Sequence, residues 1–314
     1  MVRPSVRPVS GTDYDLVLTS PSRDVHGRIS GVGAAVQQLS IDGIELTPGF
    51  DSRRPAPFYC GKALVPWPNR VRDARWHHDG HTLQLDITDP ETNTALHGLL
   101  CAAEYECVAH SESSVTLAAP IQYRDGYPFD LATTVRYQLT ATGLAATHTV
   151  HNVGSRCAPV ALGAHPFLSI GDVPTDQLTL RVNGDFHVDV DAQRIPVGVT
   201  PVGGTAWDLR TGRPVADLTL DDCWVVSGAT NHGSTHTLCS PDGRTLSLWT
   251  DEQFGFLHVF VTREFPKDGD HVTAVALEPM TAQADALNSG IGLRWLAPGK
   301  QFSASWAIRY EYPR

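Results

Sequence analysis

Four short segments of the chain carry polar residues that strand or turn patterning does not require. In residues 66–76 (PWPNRVRDARW), Pro66 and Pro68 fix a rigid, non-helical backbone directly before Asn69 and Arg70. A rigid loop that presents an amide and a guanidinium suits the binding of hydroxyl groups, whereas Arg72 and Arg75 read as solvated surface arginines. In residues 95–100 (ALHGLL), His97 lies inside an apolar run and Gly98 follows it. An isolated histidine there is first a hydrogen-bonded core residue, but a glycine in a strand often marks close approach by another group. In residues 161–168 (ALGAHPFL), His165 again has apolar neighbours, and Pro166 interrupts any central strand after it. In residues 275–288 (VALEPMTAQADALN), period-two geometry puts Val275 and Leu277 on one face and Ala276 and Glu278 on the other. Taken alone, Glu278 reads first as an exposed strand end. Partial burial would instead raise its pKa toward the range useful for a general base.

The elements that must position these residues are strands. Leu131, Thr133, Val135, Tyr137 and Leu139 alternate with polar neighbours, as do Leu83, Leu85 and Ile87, and Phe302, Ala304, Trp306, Ile308 and Tyr310. Asp42-Gly43, Asp79-Gly80, Asn183-Gly184 and Asp242-Gly243 each suit a tight hairpin, because Gly and Asn or Asp tolerate positive φ. The 22 prolines and 27 glycines are spread throughout, which argues against long helices. Many short strands with frequent turns predict an all-β protein built as a large β-sandwich. With no linker, repeat or low-complexity tract, residues 1–314 read as one domain.

A chain of 314 residues can bury a large core. Its net charge of -10 argues against nucleic acid or an anionic membrane as partner, since their phosphates select Lys and Arg. No apolar run approaches the ~20 residues of a membrane span, and the first 20 residues contain no apolar signal-peptide region. Six scattered cysteines without a Cys-x-x-Cys pair fit reduced thiols and a cytoplasmic location. The segment of residues 76–81 (WHHDGH) reads as a solvated hairpin, not a metal site. Residues 31–35 (GVGAA) lack the third glycine of a dinucleotide loop. Neither a metal nor an organic cofactor is expected.

Taken in order, Pro66-Trp67-x-Asn69-Arg70, His97-Gly98, Gly163-x-His165-Pro166-Phe167 and Glu278-Pro279-x-Thr281 resemble the aldose 1-epimerase (galactose mutarotase) family. Residues 126–129 (GYPF), 220–222 (LDD) and 296–299 (LAPG) extend the resemblance from about Phe50 to the C-terminus. It implies a large antiparallel β-supersandwich that interconverts the α and β anomers of a free hexose by acid/base ring opening. It further implies Glu278 as general base and His165 as general acid. His97, Asn69 and Arg70 would orient the sugar near its ring oxygen, and Asp221 would accept hydrogen bonds from its hydroxyls. Asp222 is adjacent, and the choice between the two stays open. The implied partner is a small sugar alone, with the protein a monomer or homodimer. Leu99-Leu100-Cys101, with Tyr105 further on, departs from relatives that place a basic residue and a Trp here, so the sugar stays open. Three rivals are weighed. A non-catalytic carbohydrate-binding sandwich would not need both His165 and Glu278. A glycoside hydrolase or lyase normally needs two flanking carboxylates, and only Glu278 and Asp221 are available. An epimerase for an anionic hexose would use Arg72 and Arg75, but the chain lacks a dense cationic cluster.

Overall fold

The computed structural model describes residues 11–21, 23–51, 53–226 and 233–312; the first half of the 20 residues over which no signal sequence is expected lies outside them. Two large antiparallel sheets dominate. One has nine strands, centred on the neighbours Leu131–Thr140, Gly143–Asn152, Gln301–Glu311 and Thr245–Thr250. The other has eight, centred on Gly184–Val190, Asp221–Val226, Phe256–Lys267 and Asp270–Met280. A four-stranded sheet formed by Asp13–Ser20, Arg23–Ser30, Ala35–Ile41 and Ile44–Glu45 packs alongside. Among the described residues the one α-helix is the single turn Ala286–Ser289. No helix among these residues is long and apolar enough to cross a membrane.

Period-two alternation builds the core between the sheets. Val135, Tyr137, Ile308 and Trp306 of the nine-stranded sheet share one apolar cluster with Trp224, Leu257, Val259, Val275 and Leu277 of the eight-stranded sheet. Burying one such large side chain contributes about 1.5–3 kcal/mol, and a register slip of one residue would expose the whole set. The alternation also decides the other face of the eight-stranded sheet. Because Leu257, Val259, Val275 and Leu277 point into the core, His258, Ala276 and Glu278 must point away from it.

Two expectations are corrected. Asn183-Gly184 is not a hairpin. It carries the chain from Thr179–Arg181 in the nine-stranded sheet to Gly184–Val190 in the eight-stranded sheet, and Asn183 is held by His236 and Ser234. Neither residue needs positive φ there, so the dipeptide serves a crossover. The alternating run at Leu83 also ends early. The strand stops at Gln84 and Ile87 is exposed, because the chain leaves the two-stranded ribbon for a loop. Asp79-Gly80 and Asp42-Gly43 do form tight turns, with positive φ at all four residues.

Candidate active site

The cleft lies on the face of the eight-stranded sheet that turns away from the core. Register places Cys223 opposite His258 and His258 opposite Glu278, so these three form a row across three strands. Asp221, two residues before Cys223, lies on the same face. A narrow cleft on this face is lined by Asn69, Arg70, Arg194, Asp221, His258 and Gln283 among others. A larger depression lined by Trp67, Asp86, Arg124 and Asp125 contains none of the predicted site residues.

His165 sits between two very short strands, Gly163–Ala164 and Phe167–Leu168, that both pair with Asp270–Met280. Pro166 breaks the strand between them, and the resulting kink aims the ring at the sheet. His165 Nε2 lies 3.2 Å from Glu278 Oε1. Both residues are buried, and among the described residues neither His165 Nδ1 nor Glu278 Oε2 has a hydrogen-bond partner. Burial raises the Glu278 pKa to about 7 against the opposing pull of the His258 charge. Burial, reinforced by that same charge, lowers His165 to about 3. At neutral pH His165 is therefore an uncharged imidazole beside a carboxyl that burial helps to keep its proton.

Asn69 and His97 interlock. The Asn69 N–H donates to His97 Nδ1 at 3.2 Å, and the His97 N–H donates to the Asn69 carbonyl at 2.9 Å. Both residues have positive φ, 56° and 62°, which costs about 1–3 kcal/mol each and persists only where the surroundings enforce it. Gly98 explains the enforcement: a Cβ there would lie 2.1 Å from the Val65 carbonyl oxygen. The glycine thus marks close approach of the rigid proline loop. A backbone N–H can only donate, so the proton of the neutral His97 ring sits on Nε2. His97, His165 and Glu278 offer ligand atoms within 4.8 Å of one another. A metal needs a lone pair where His97 presents an N–H, so the trio suits hydrogen bonding better than coordination. Burial, reinforced by the Arg70 charge, holds the His97 pKa well below the ordinary value and keeps that ring neutral.

Arg70 Nε donates to Asp89 Oδ2 at 3.2 Å, which fixes the guanidinium and leaves its two terminal nitrogens for a ligand. The Asn69 side chain is turned back to the Arg70 N–H, so its contribution here is through its backbone. Asp221 and Asp222 part company. Asp221 accepts from His258 Nε2 and Arg194 Nη1, both at 2.8 Å, and these cations hold its pKa below the usual carboxylate range despite burial. Asp222 is taken up by His187 Nε2 at 2.8 Å. Asp221 is accordingly the carboxylate of the cleft row. Arg72 is engaged by Asp191 and Gln193, and Arg75 by Gln84.

A family model described as aldose 1-epimerase matches residues 15–309. The chain belongs to the aldose 1-epimerase family. Members of this epimerase family act on small sugars. Among similar sequences, the uncharacterized protein YihR of Escherichia coli K12 is 29% identical over 279 residues, covering 88% of this chain and 87% of YihR. A second uncharacterized protein of that organism, YphB, is 30% identical over 258 residues, 79% of this chain and 83% of YphB. The crystal structure of a GalM/aldose epimerase homologue from C. elegans shares the epimerase fold, with a TM-score of 0.82 at 21% identity, covering 96% of this chain and all (100%) of that one.

Sequence reasoning missed His258, Asp89, Arg194 and Tyr59. Tyr59, also at positive φ, sets its ring 4.8 Å from that of His97. His258 sits in the run FLHVFV, where it looks like one polar residue on an alternating strand. The cross-strand register, set by pairing distant in sequence, is what places it beside Glu278.

Proposed function

We propose that this chain is a mutarotase that interconverts the α and β anomers of a free hexose, with Glu278 as base and His165 as acid. The observation that carries this reading is the 3.2 Å contact between His165 Nε2 and Glu278 Oε1, buried and with one unpartnered atom on each side. Opening a hemiacetal ring removes a proton from the C1 hydroxyl and delivers one to the ring oxygen. Those two oxygens are bonded to the same carbon, so acid and base must converge on one point.

The pair works with one proton between its two members. With that proton on His165 and Glu278 ionised, Glu278 takes the C1 hydroxyl proton while His165 protonates the ring oxygen. The pair again holds one proton, now on Glu278. The aldehyde rotates about C1–C2, and reclosure returns both protons along the same path. His97 donates its Nε2–H toward the ring oxygen. Arg70 donates from its terminal nitrogens, and Asp221 accepts from sugar hydroxyls. No bond to carbon other than the hemiacetal C–O bond changes and no redox step occurs, so the reading assigns no metal or cofactor. It fits a one-domain protein that meets its sugar in the cytoplasm as monomer or homodimer.

Polarimetry of freshly dissolved α-glucose, α-galactose and an anionic hexose, with and without the protein, tests the reading. Faster approach to the equilibrium rotation with at least one of them is expected. No acceleration with any aldose would leave a sugar-binding sandwich in its place.

A further inference from the structure

His258 is absent from the proton transfers above, yet it stands at the centre of the cleft row. It is buried on Phe256–Lys267, with Cys223 opposite on one neighbouring strand and Glu278 opposite on the other. Its Nε2 is 2.8 Å from Asp221 Oδ1. Its Nδ1 has no hydrogen-bond partner among the described residues, and neither does Glu278 Oε2, the carboxyl oxygen that His165 leaves free. Two cross-strand neighbours on the same face of a sheet have Cβ atoms about 4.5–5.5 Å apart. The ring is thus set between two carboxyl groups of different function, one that contacts sugar hydroxyls and one that moves a proton.

We propose that His258 is a positioning residue of the epimerase: held as an imidazolium between Asp221 and Glu278, it aims Asp221 into the cleft and sets the pH range in which the His165–Glu278 pair carries a single proton. The inference rests on the mutarotase reading of that pair. A buried cation is expensive unless paired; here Asp221 pairs it directly at 2.8 Å, and the Glu278 carboxyl on the adjoining strand adds its field. Burial alone would make this ring neutral; the Glu278 and Asp221 carboxylates outweigh burial and hold it protonated well above the ordinary histidine range. The remaining groups facing Glu278 are His165, from the Gly163–Leu168 segment, and Arg70 and His97, from the proline loop and its partner. His97 and His165 are neutral by burial, and Arg70 is anchored on Asp89. Arg194 reaches Asp221 from the rim, Asp222 is held by His187, Cys223 is a buried thiol, and Lys62 stands on the far side of His165. His258 is therefore the cation on the strand paired directly with the base.

Removing a positive charge lets a neighbouring acid keep its proton to higher pH. His258→Gln keeps a donor for Asp221 but cannot carry charge. The expected result is that the pH–rate profile of anomer exchange moves upward by about one pH unit or more, as for loss of an opposite charge within ~4–6 Å. A residue that only supports the fold would lower the rate without moving the profile. The ¹³C shift of the Glu278 carboxyl, followed by NMR in wild type and variant, should show the same upward move and needs no substrate. If the profile and the carboxyl titration both stay in place in folded His258→Gln, the proposal is overturned, while a wild type that still speeds anomer exchange leaves the mutarotase reading intact. Should the variant fail to fold, ¹⁵N NMR of wild-type imidazoles decides: His258 protonated on both nitrogens at pH 7–8 supports the proposal, and a neutral ring there overturns it.

Discussion

The eight-stranded sheet holds two histidine–carboxylate contacts, His165 with Glu278 at 3.2 Å and His187 with Asp222 at 2.8 Å. Their surroundings are opposite. His187 donates from both ring nitrogens, at 2.8 Å to Asp222 and 2.9 Å to Asp189. Thr200 completes Asp189, the Asp221 N–H completes Asp222, and the ring stacks on Trp207 at 4.1 Å. Although burial opposes it, these partners raise the His187 pKa and lower that of Asp222, so both stay charged as an ion pair. At the other pair burial wins. Glu278 rises to about 7, His165 falls to about 3, and each keeps one buried polar atom without a protein partner. A histidine beside a carboxylate is therefore no sign of chemistry by itself. The sign is a buried contact beside the cleft row whose hydrogen-bonding capacity the described residues leave unused.

The sharpest way to break this comparison is to remove each carboxylate in turn. Glu278→Gln, and likewise His165→Asn, should slow anomer exchange by roughly 10²–10⁴-fold in a folded protein, the usual range for positioned proton transfer. Asp222→Asn should leave the rate close to wild type. Polarimetry on all three decides it, and comparable losses at Asp222 would erase the distinction. The pH–rate profile should be bell-shaped, because the pair works with one proton. The rate should fall as pH rises through about 7, where the pair loses that proton, and fall again toward pH of about 3, where it gains a second. The profile should look the same from either anomer, and a rate that climbs steadily above pH 7 would contradict single-proton operation.

Smaller effects sharpen the contrast further. Arg70→Lys keeps the charge but loses the planar fork that Asp89 fixes, and should lower kcat/KM on the order of ten- to a hundredfold, the worth of a charged hydrogen bond. A variant equal to wild type on every accepted sugar would take Arg70 out of the site. Asp222→Asn should instead act on stability, by about 1–3 kcal/mol for a part-buried partner left unmatched. The sign follows from the shifts. The raised His187 pKa stabilises the fold below its unfolded value of 6.5 and loses this as pH rises through the folded value. The lowered Asp222 pKa stabilises above 3.8 and loses it as pH falls. The stability gap between wild type and Asp222→Asn should thus be widest near pH 5 in thermal melts and narrow as pH rises through the folded His187 value. The smallest expected effect is none: prolonged EDTA treatment should leave anomer exchange unchanged, because His97 presents an N–H where a metal would need a lone pair. Loss on chelation with recovery on adding a divalent ion would overturn that.

Much of this was legible in the sequence because strands impose a two-residue period. The alternation at Leu131–Leu139 and Phe302–Tyr310 is the buried face of the nine-stranded sheet. The split of Val275 and Leu277 from Ala276 and Glu278 carries over directly. The proline loop, His97-Gly98 and the kink after His165 were visible because proline and glycine restrict backbone in known ways. Other features depend on pairings that local pattern does not encode. Asn183-Gly184 has hairpin composition but crosses between sheets. Asp221 and Asp222 differ only by which face of one strand each occupies. His258 and Asp89 matter through neighbours 20 and 19 residues away, found by register and loop packing.

The central claim is that His165 and Glu278 form one proton-holding unit. The most direct test is anomer exchange at equilibrium, by NMR exchange spectroscopy, for Glu278→Gln, His165→Asn and the double variant. If the two act as a unit, either loss disables it, and the double variant should be little slower than the worse single variant. If the two losses multiply, or if folded Glu278→Gln exchanges anomers at near wild-type rate, the pair is not the centre of the reaction and Asp221 becomes the carboxylate to test.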